Sequence, residues 1–330
     1  MTGPVTIRAQ DMAGADRLMQ VIAALSDVFG DLSAGRTRSP SRTIVEHDRQ
    51  RQLLVGPAVW ERCGFGTVKI STLTPDNPER GLPLIHGVVV LVDLETGRIM
   101  ALLDGGELTA VRTGAVAALA TRLCAPEDAE DLAVIGAGVQ AWALVRAVCA
   151  VRPIRSIRVF SRRRAGTDRF AERVLDSLGS GVRVTVCETG KAAVTDAAII
   201  CTATSTSDRA PLVAADWVAR GAHVNVIGGV NEAAIEVEPA LLSGAFLVVE
   251  ERAAALEDAG EVRAALTGGL IDLAELHELG ALVNLPRMTG GRTSVFRSVG
   301  LAIEDTAAAA ALYQAARAAG AVSSSSGSGP

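Results

Sequence analysis

A glycine turn between an apolar run and a helical pattern constrains the fold of this chain more than any other feature. The run at 132–135 is followed by Gly136-Ala137-Gly138-Val139-Gln140-Ala141, and a second apolar run at 157–160 comes after the helical pattern. The first glycine permits a tight turn, the second lets the backbone approach a pyrophosphate, and the small third residue lets helix pack on strand. The sequence therefore predicts a Rossmann unit in which Gly136 and Gly138 contact a dinucleotide.

Further apolar runs extend this unit into a larger parallel sheet. They lie at 197–202, 223–227 and 245–249, each after a helical or loop segment. This alternation is typical of a parallel sheet that is covered by helices on both faces.

The residues before the glycine turn predict a different architecture. β-Branched segments at 43–45, 52–55, 66–71, 88–94 and 98–103 are separated by turn-rich pieces, which indicates a mostly antiparallel sheet. We expect a helix over about 18–29 that Asp11 caps, and another from about 107 to 123. A last helix is expected over about 298–319, and the tail 323–330 is expected to be disordered.

Composition excludes several classes of function. The formal net charge is −5 and no basic block occurs, which argues against a nucleic-acid partner. No apolar stretch approaches the roughly 20 residues that span a bilayer, and no secretory pattern opens the chain, so a cytoplasmic, non-membrane protein is expected. The five cysteines and four histidines are scattered, which predicts neither a disulfide framework nor a metal site.

The end of the second Rossmann strand bears on the choice of dinucleotide. An NAD-specific enzyme usually places Asp or Glu there, whereas this chain has Ser161-Arg162-Arg163-Arg164. A hydroxyl and guanidinium groups can bind a 2′-phosphate, so NADP(H) is favoured over NAD(H), with Ser161, Arg162 and Arg163 as its contacts. A solvated arginine run on a surface loop is the alternative interpretation.

Two basic residues in the N-terminal part are candidates for chemistry. Lys69 lies in a strand pattern and is one of only two lysines, the other being Lys191. Arg112 lies early in the second predicted helix. Position alone does not separate either from an ordinary solvated side chain.

Three segments together resemble the ornithine cyclodeaminase and mu-crystallin family. They are LLDGGELTAVRTGA at 102–115, VIGAGVQA at 134–141 and SVFRSVGLAIED at 294–305. The resemblance implies an α/β fold in which a Rossmann NAD(P)-binding domain, 125–296, is inserted in a discontinuous α+β domain, 1–124 plus 297–322. The discontinuous domain would bind the substrate and form a homodimer.

The same resemblance implies roles for individual residues. Arg42 and Arg112 would bind a substrate carboxylate, Lys69 would contact the substrate, and Lys69 and Arg112 would be the catalytic pair. Val299 would also contact the substrate. The remaining implied residues are cofactor contacts: Thr113, Val139, Gln140, Ser161, Thr202, Val224, Asn225, Val226, Ile227 and Ser298.

One departure from the family pattern bears on the reaction. Cyclodeaminases carry an aspartate where this chain has Val230, at the end of the run from His223 to Gly229. An isopropyl group cannot accept the proton that cyclodeamination requires, although Glu232 in a shifted loop is an alternative acid. We therefore expect an NAD(P)H-dependent oxidoreductase that exchanges a hydride with the α-carbon of a small imino or amino acid. Ornithine cyclodeamination to proline and non-catalytic ligand binding, as in crystallin relatives, are the alternatives.

Overall fold

The computed structural model describes residues 3–48, 51–205, 210–229, 234–286 and 289–319. The tail 323–330, for which disorder was expected, lies outside these ranges. The chain divides into two compact units. Unit 1 comprises Met1–Arg112 and Leu301–Pro330, and unit 2 comprises Thr113–Gly300.

In the described residues, six consecutive strands at 37–104 precede a region in which strands and helices mostly alternate. The strands are β1 Val5–Ile7, β2 Thr37–Arg38, β3 Thr43–Glu46, β4 Gln52–Trp60, β5 Phe65–Leu73, β6 Ile85–Asp93, β7 Ile99–Asp104, β8 Asp131–Ile135, β9 Ser156–Phe160, β10 Arg183–Val186, β11 Ile199–Thr202, β12 His223–Val226, β13 Phe246–Val249, β14 Leu276–Glu278 and β15 Ser294–Arg297. The helices are α1 Ala9–Met12, α2 Ala15–Ser33, α3 Gly105–Cys124, α4 Val139–Val151, α5 Arg164–Leu178, α6 Gly190–Val194, α7 Arg252–Asp258, α8 Gly260–Thr267, α9 Leu279–Leu282 and α10 Ala302–Ala318.

Unit 1 is built on one seven-stranded sheet. Its order is β1-β7-β6-β5-β4-β2, with β3 also paired to β4, and every pairing is antiparallel except that of β1 with β7. One face carries buried residues such as Ala58, Leu91 and Leu103. Helix α10 packs on β4, β5 and α2, so it closes the core of this unit.

The first long helix, Ala15–Ser33, extends beyond the expected range of about 18–29 at both ends and has a different N-cap from the expected one. Apolar residues of α2 recur at helical spacing and are buried, which explains the helix. Asp11, however, is not its N-cap: that position is Gly14, and Asp11 belongs to the short helix α1, where its carboxylate accepts a hydrogen bond from the backbone N of Arg8 at 2.9 Å. The expected cap was wrong because α1 and α2 are two helices.

Unit 2 contains an eight-stranded, wholly parallel sheet. Its order is β10-β9-β8-β11-β12-β15-β13-β14. The chain runs outward from β8 through β9 to β10 and then returns to the other side of β8 with β11. Ligands of such sheets bind beyond the carboxyl ends of the strands at this reversal of order. The topology therefore marks the ends of β8 and β11.

Two features of the C-terminal region differ from the sequence-based expectation. Strand β15 lies in the parallel sheet between β12 and β13 and was not predicted. The last helix begins at Ala302 instead of about 298, because residues 298–300 are held by hydrogen bonds outside the helix. Within the described ranges, no helix combines the length and apolarity that a membrane span needs.

Candidate active site

The predicted glycine turn follows β8 directly in unit 2. Gly136 has φ 126°, and a Cβ there would collide with the carbonyl oxygen of Ala203, which follows β11. Gly138 is the N-cap of α4, and no described atom lies within 4 Å of the place that its Cβ would occupy. The first glycine is thus required by the approach of a neighbouring strand end, and the second leaves open space at a helix N-terminus.

The start of α4 has the chemistry to receive a pyrophosphate. The backbone N–H groups of a helix N-terminus and its dipole favour an anion. Val139 is 65% exposed at the first helical position. The side-chain oxygen of Gln140 is buried and has no hydrogen-bond partner among the described residues. The open space at Gly138 beside a helix N-terminus fits a pyrophosphate, whereas the Gln140 oxygen, which can only accept, would need a donor such as a hydroxyl group.

The end of β9 presents hydroxyl and guanidinium groups. Ser161 follows the strand, and Arg162 and Arg163 are exposed. Arg164 begins α5 and donates hydrogen bonds to Asp168, at 2.9 Å, and to Glu188. Its charge is therefore already balanced by two carboxylates, and the two preceding arginines are the better candidates for an external anion.

A buried carboxylate, Glu236, ties the ends of β11 and β12 together. It accepts hydrogen bonds from the hydroxyl of Thr202 at 2.7 Å, from the backbone N and hydroxyl of Thr204 at 2.8 and 2.6 Å, and from the backbone N of Gly228 at 2.7 Å. Such a charge-assisted network fixes loop geometry. The Thr202 hydroxyl thus forms a hydrogen bond within the protein, at the carboxyl edge of the parallel sheet.

Arg297 holds the same turn from its other side. Its guanidinium donates to the carbonyl oxygens of Gly228 at 2.9 Å and Gly229 at 2.7 Å, and its Nε lies 3.3 Å from the carboxylate of the equally buried Glu261. Burial is the main reason that the pKa of Glu261 is raised, and Arg297 opposes that effect. Residues 230–233, with Val230 and Glu232, lie outside the described part of the chain.

Several predicted cofactor contacts are buried within β12. Val224, Asn225 and Val226 have no exposed surface, and the amide of Asn225 donates to the Thr121 hydroxyl at 3.0 Å. Thr113 on α3 is also buried, at 4% exposure. Ile227, which follows the strand, is the member of the run 224–227 closest to the carboxyl edge.

The segment before α10 is fixed by another buried acid, Glu250. One carboxylate oxygen accepts a hydrogen bond from the Ser298 hydroxyl at 2.5 Å, and the other accepts from the backbone N of Val299 at 2.9 Å and of Gly300 at 2.8 Å. The structure thus holds Ser298 and Val299 rigidly at the end of β15.

Lys69 of unit 1 points toward helices α3 and α10. Its register on β5 places it between Gly56 of β4 and Val89 of β6. The ammonium donates to the hydroxyl of Thr109 at 2.5 Å and to the carboxylate of Asp305 at 3.2 Å. Burial lowers the pKa of Lys69 below its ordinary value, and the Asp305 carboxylate opposes this shift.

Arg112 belongs to the same cluster. Its guanidinium donates to Glu304 at 3.0 Å, and its Nε lies 3.7 Å from Asp305. Glu304 has no exposed surface, and its second oxygen accepts from the backbone N of Leu301 at 2.8 Å. Two cations from β5 and α3 therefore meet two adjacent carboxylates of α10.

Arg42 approaches the same strands as Lys69. Arg42 precedes β3. If Gly56 carried a Cβ, that atom would lie 4.0 Å from the Cβ of Arg42. Gly56 pairs with Lys69 across β4 and β5. The same Cβ position at Gly56 lies 3.6 Å from the Cβ of Ala302. The structure thus brings Arg42 and Lys69 to one region of unit 1, with Gly56 keeping space between them.

Four acidic residues of these networks were not predicted from the sequence. Glu236, Glu250, Glu304 and Asp305 each bind a predicted site residue or its loop. The Glu304-Asp305 pair in an alanine-rich helix was the available signal, because acids on a helix that must be buried require partners. Among the described residues, no group of three or more His, Cys, Asp or Glu could hold a metal ion.

Comparison with known proteins gives a consistent result over the whole chain. Residues 5–320 match the model of the ornithine cyclodeaminase/mu-crystallin family. A Delta(1)-pyrroline-2-carboxylate reductase of Bacillus cereus is 32% identical over 318 residues, covering 94% of this chain and 96% of that protein. The ketimine reductase mu-crystallin of Mus musculus is 32% identical over 292 residues, covering 88% and 89%.

A solved structure extends the comparison to the fold. The Delta(1)-pyrroline-2-carboxylate reductase of Thermococcus litoralis, in complex with NADH and L-proline, superposes with a TM-score of 0.88 at 30% identity, covering 96% of this chain and 98% of that one. The α/β fold inferred from the glycine turn is thereby confirmed. The chain belongs to the ornithine cyclodeaminase/mu-crystallin family.

Proposed function

We propose that the protein is an NAD(P)H-dependent reductase of small cyclic imino acids that carry a carboxylate next to the C=N bond. The observation that carries this proposal is the similarity, along nearly the whole chain, to two proteins named as imine reductases. Val230 supports it from the sequence, because cyclodeaminases have an acid at that place.

Unit 2 would bind the nicotinamide cofactor. Gly136, Gly138, Val139 and Gln140 would face the pyrophosphate, which is consistent with the open space at Gly138 and with the backbone N–H groups at the start of α4. Thr202, the run 224–227 and Ser298 would form the edge near the nicotinamide, with Glu236 and Glu250 fixing their geometry. The reduced nicotinamide supplies a hydride when it is bound.

Unit 1 would bind the substrate. Arg42 and Arg112 would hold its carboxylate, and Glu304 would keep the Arg112 guanidinium in one orientation, so that little ordering remains when substrate binds. Lys69 would donate a proton to the imine nitrogen as the carbon gains the hydride. Val299, which belongs to unit 2, would also contact the substrate, as the family resemblance implies.

The cofactor would be NADP(H) in preference to NAD(H). The exposed Arg162 and Arg163, with the Ser161 hydroxyl, support this choice, since no carboxylate occurs at 161–163 to bind the ribose hydroxyls. Competing titrations with NADPH and NADH test it, and equal affinities would contradict it.

A second copy of the chain would cover the outer face of the unit 1 sheet and form a homodimer. Register places Val45, Leu53 and Ile70 on the face opposite Lys69, and they are 52%, 39% and 40% exposed. Contiguous apolar surface of this kind marks an interface. Leu53→Glu should give monomers in sedimentation, whereas Leu175→Glu, at a similarly exposed leucine of unit 2, should leave the dimer intact.

The protein would work in the cytoplasm. All five cysteines lie within the described residues, and none forms a disulfide there. Such cysteine usage is typical of a reducing compartment.

A panel of substrates tests the reductase function. Purified protein with NADPH should reduce Δ1-pyrroline-2-carboxylate or its six-membered analogue, followed by loss of the nicotinamide absorbance. The matched control is Δ1-pyrroline, which lacks the carboxylate and should react at least about 100-fold more slowly. Cofactor binding without turnover of any imine would instead favour the non-catalytic alternative, and proline formed from ornithine would favour the cyclodeaminase.

A further inference from the structure

Asp305 is the closest carboxylate to Lys69 among the described residues. The two side chains come from β5 and α10, and Asp305 Oδ1 lies 3.2 Å from Lys69 Nζ. They are 14% and 6% exposed, so water screens their interaction little. The pair is therefore an interior contact and not a surface salt bridge.

The Lys69 ammonium is held from two sides. The Thr109 hydroxyl, which accepts its second hydrogen bond at 2.5 Å, itself donates to the carbonyl oxygen of Gly105 at 2.6 Å. An ammonium has three donors, so these two contacts leave one for another acceptor. These two hydrogen bonds hold the Lys69 nitrogen against α3 and set the direction of its third N–H.

We infer that Asp305 is a positioning residue for Lys69, which its carboxylate holds against Thr109 and keeps protonated until a proton is transferred to the substrate. This inference rests on the proposed function only for the identity of the proton acceptor. The charged groups that face Lys69 are Asp305 and Glu304 from α10 and Arg112 from α3. Asp305 is the acid that accepts a hydrogen bond from the lysine, whereas Glu304 acts on it through its charge alone.

The proton balance of the proposed reduction shows why this matters. The imine carbon would gain the hydride, with its two electrons, that a bound reduced nicotinamide would supply, and the nitrogen would gain the proton that leaves Lys69. The neutral Lys69 amine then takes a proton from water. Burial and the Arg112 charge lower the pKa of Lys69, whereas Asp305 raises it. Without Asp305, more of the lysine would be neutral at a given pH.

The two-lysine sequence permits a direct measurement. Protein labelled with ¹³C at lysine Cε should give two resonances, from Lys69 and the exposed Lys191. Asp305→Asn keeps the shape and removes the charge, so the Lys69 titration midpoint should move to lower pH by about one unit or more. The Lys191 resonance is the internal reference for the assignment. Thr109→Val, which removes a neutral partner, should shift the Lys69 midpoint less.

The pH dependence of imine reduction should shift in the same direction as the Lys69 titration. The basic limb of the pH profile of kcat/KM for imine reduction should move to lower pH in Asp305→Asn, while the affinity for NADPH stays unchanged. If Asp305→Asn does not fold, Asp305→Glu provides the test: its Lys69 midpoint should stay near that of the unmutated protein, and kcat should fall about ten-fold as the ammonium is displaced.

The outcomes separate this inference from the proposed function. An unchanged Lys69 midpoint in folded Asp305→Asn, or in its absence unchanged kcat in Asp305→Glu, would overturn the role of Asp305. Failure of the unmutated protein to reduce any imine would overturn the reductase function, but the lysine titration would still decide whether Asp305 controls the protonation of Lys69.

Discussion

The carboxylate of Glu236 lies 2.7 Å from the backbone N of Gly228, and a Cβ at position 228 would lie 2.5 Å from the same carboxylate. Glycine is therefore the residue type that lets the two approach. The backbone N of Thr204 would lie 2.6 Å from that Cβ, so two chain segments close on this turn. The turn precedes Val230 in the sequence, the position at which the family resemblance implies an aspartate in cyclodeaminases.

Gly228→Ala should disrupt this edge of unit 2. A methyl group would push Glu236 and Thr204 away, and the Thr202 contact to Glu236 would shift with them. We expect a loss of about 1–3 kcal/mol in the free energy of unfolding and at least ten-fold weaker NADPH binding. Gly166→Ala in α5 is the matched control, since no described atom lies within 4 Å of its Cβ position. Urea unfolding and cofactor titration of both variants check this, and equal behaviour would refute it.

Arg112→Leu should damage both stability and activity. It would leave Glu304 buried without its cation, at a cost of about 3–5 kcal/mol in the free energy of unfolding. The double variant Arg112→Leu/Glu304→Gln should recover much of that stability, because both charges of the Arg112–Glu304 pair are removed together, but imine turnover should stay at least about 100-fold reduced. Urea unfolding and kcat/KM of the single and double variants, with Glu304→Gln alone as the control, measure the two effects. Recovery of turnover in the double variant would show that Arg112 does not touch the substrate.

Arg162→Gln/Arg163→Gln should weaken NADPH binding about ten-fold or more and leave NADH binding nearly unchanged, because a 2′-phosphate contact would be lost. Arg164→Gln is the control, as Arg164 already pairs with Asp168 and Glu188. Fluorescence titration gives all the dissociation constants. An equal loss of affinity for NADPH and NADH would show that the two arginines attract both cofactors by charge and do not bind the 2′-phosphate specifically.

His223 should make stability depend on pH. Burial lowers its pKa from 6.5 to about 3, and its ring bonds Ser294 and Asn225. Folding therefore favours the neutral ring: its contribution is complete above pH 6.5 and declines as the pH falls toward 3, by up to about 1.4 kcal/mol per pH unit. The free energy of unfolding of His223→Gln should fall less steeply between pH 6.5 and 4.5 than that of the unmutated protein. The exposed His86→Gln variant should keep the original slope.

Local chain patterns were sufficient to predict the centre of unit 2. The glycine turn, its flanking strands and α4 all follow from spacing within about thirty residues, because tight turns and helix starts are set by nearby residues. Strand β15 was missed because Arg297 resembles a solvated residue. It is buried since it donates to the carbonyls of Gly228 and Gly229 and pairs with Glu261, contacts that only the folded chain supplies.

In the cluster of Lys69, Arg112, Glu304 and Asp305, the sequence likewise indicated some members and not the others. The motif at 102–115 indicates Arg112 as a site residue, and the scarcity of lysines indicates Lys69. Their partners Glu304 and Asp305 lie about 190 and 240 residues away in the sequence and resemble surface charges. Their role depends on α10 packing against the sheet, which no local pattern specifies.

The unmutated protein should form no proline from ornithine. Ring closure with loss of ammonia needs a carboxylate to take a proton from the attacking group, and Val230 supplies none. Incubation with ornithine and NAD(P)+, with proline, ammonia and reduced cofactor quantified together, measures this directly. Val230→Asp is the gain-of-function variant, but its activity should be slight, because adding the acid alone does not supply a cation or donor that would keep it ionised in an apolar environment. Equal amounts of proline and ammonia from the unmutated protein, without accumulated NAD(P)H, would reject the reductase function and make Glu232→Gln the next variant to assay.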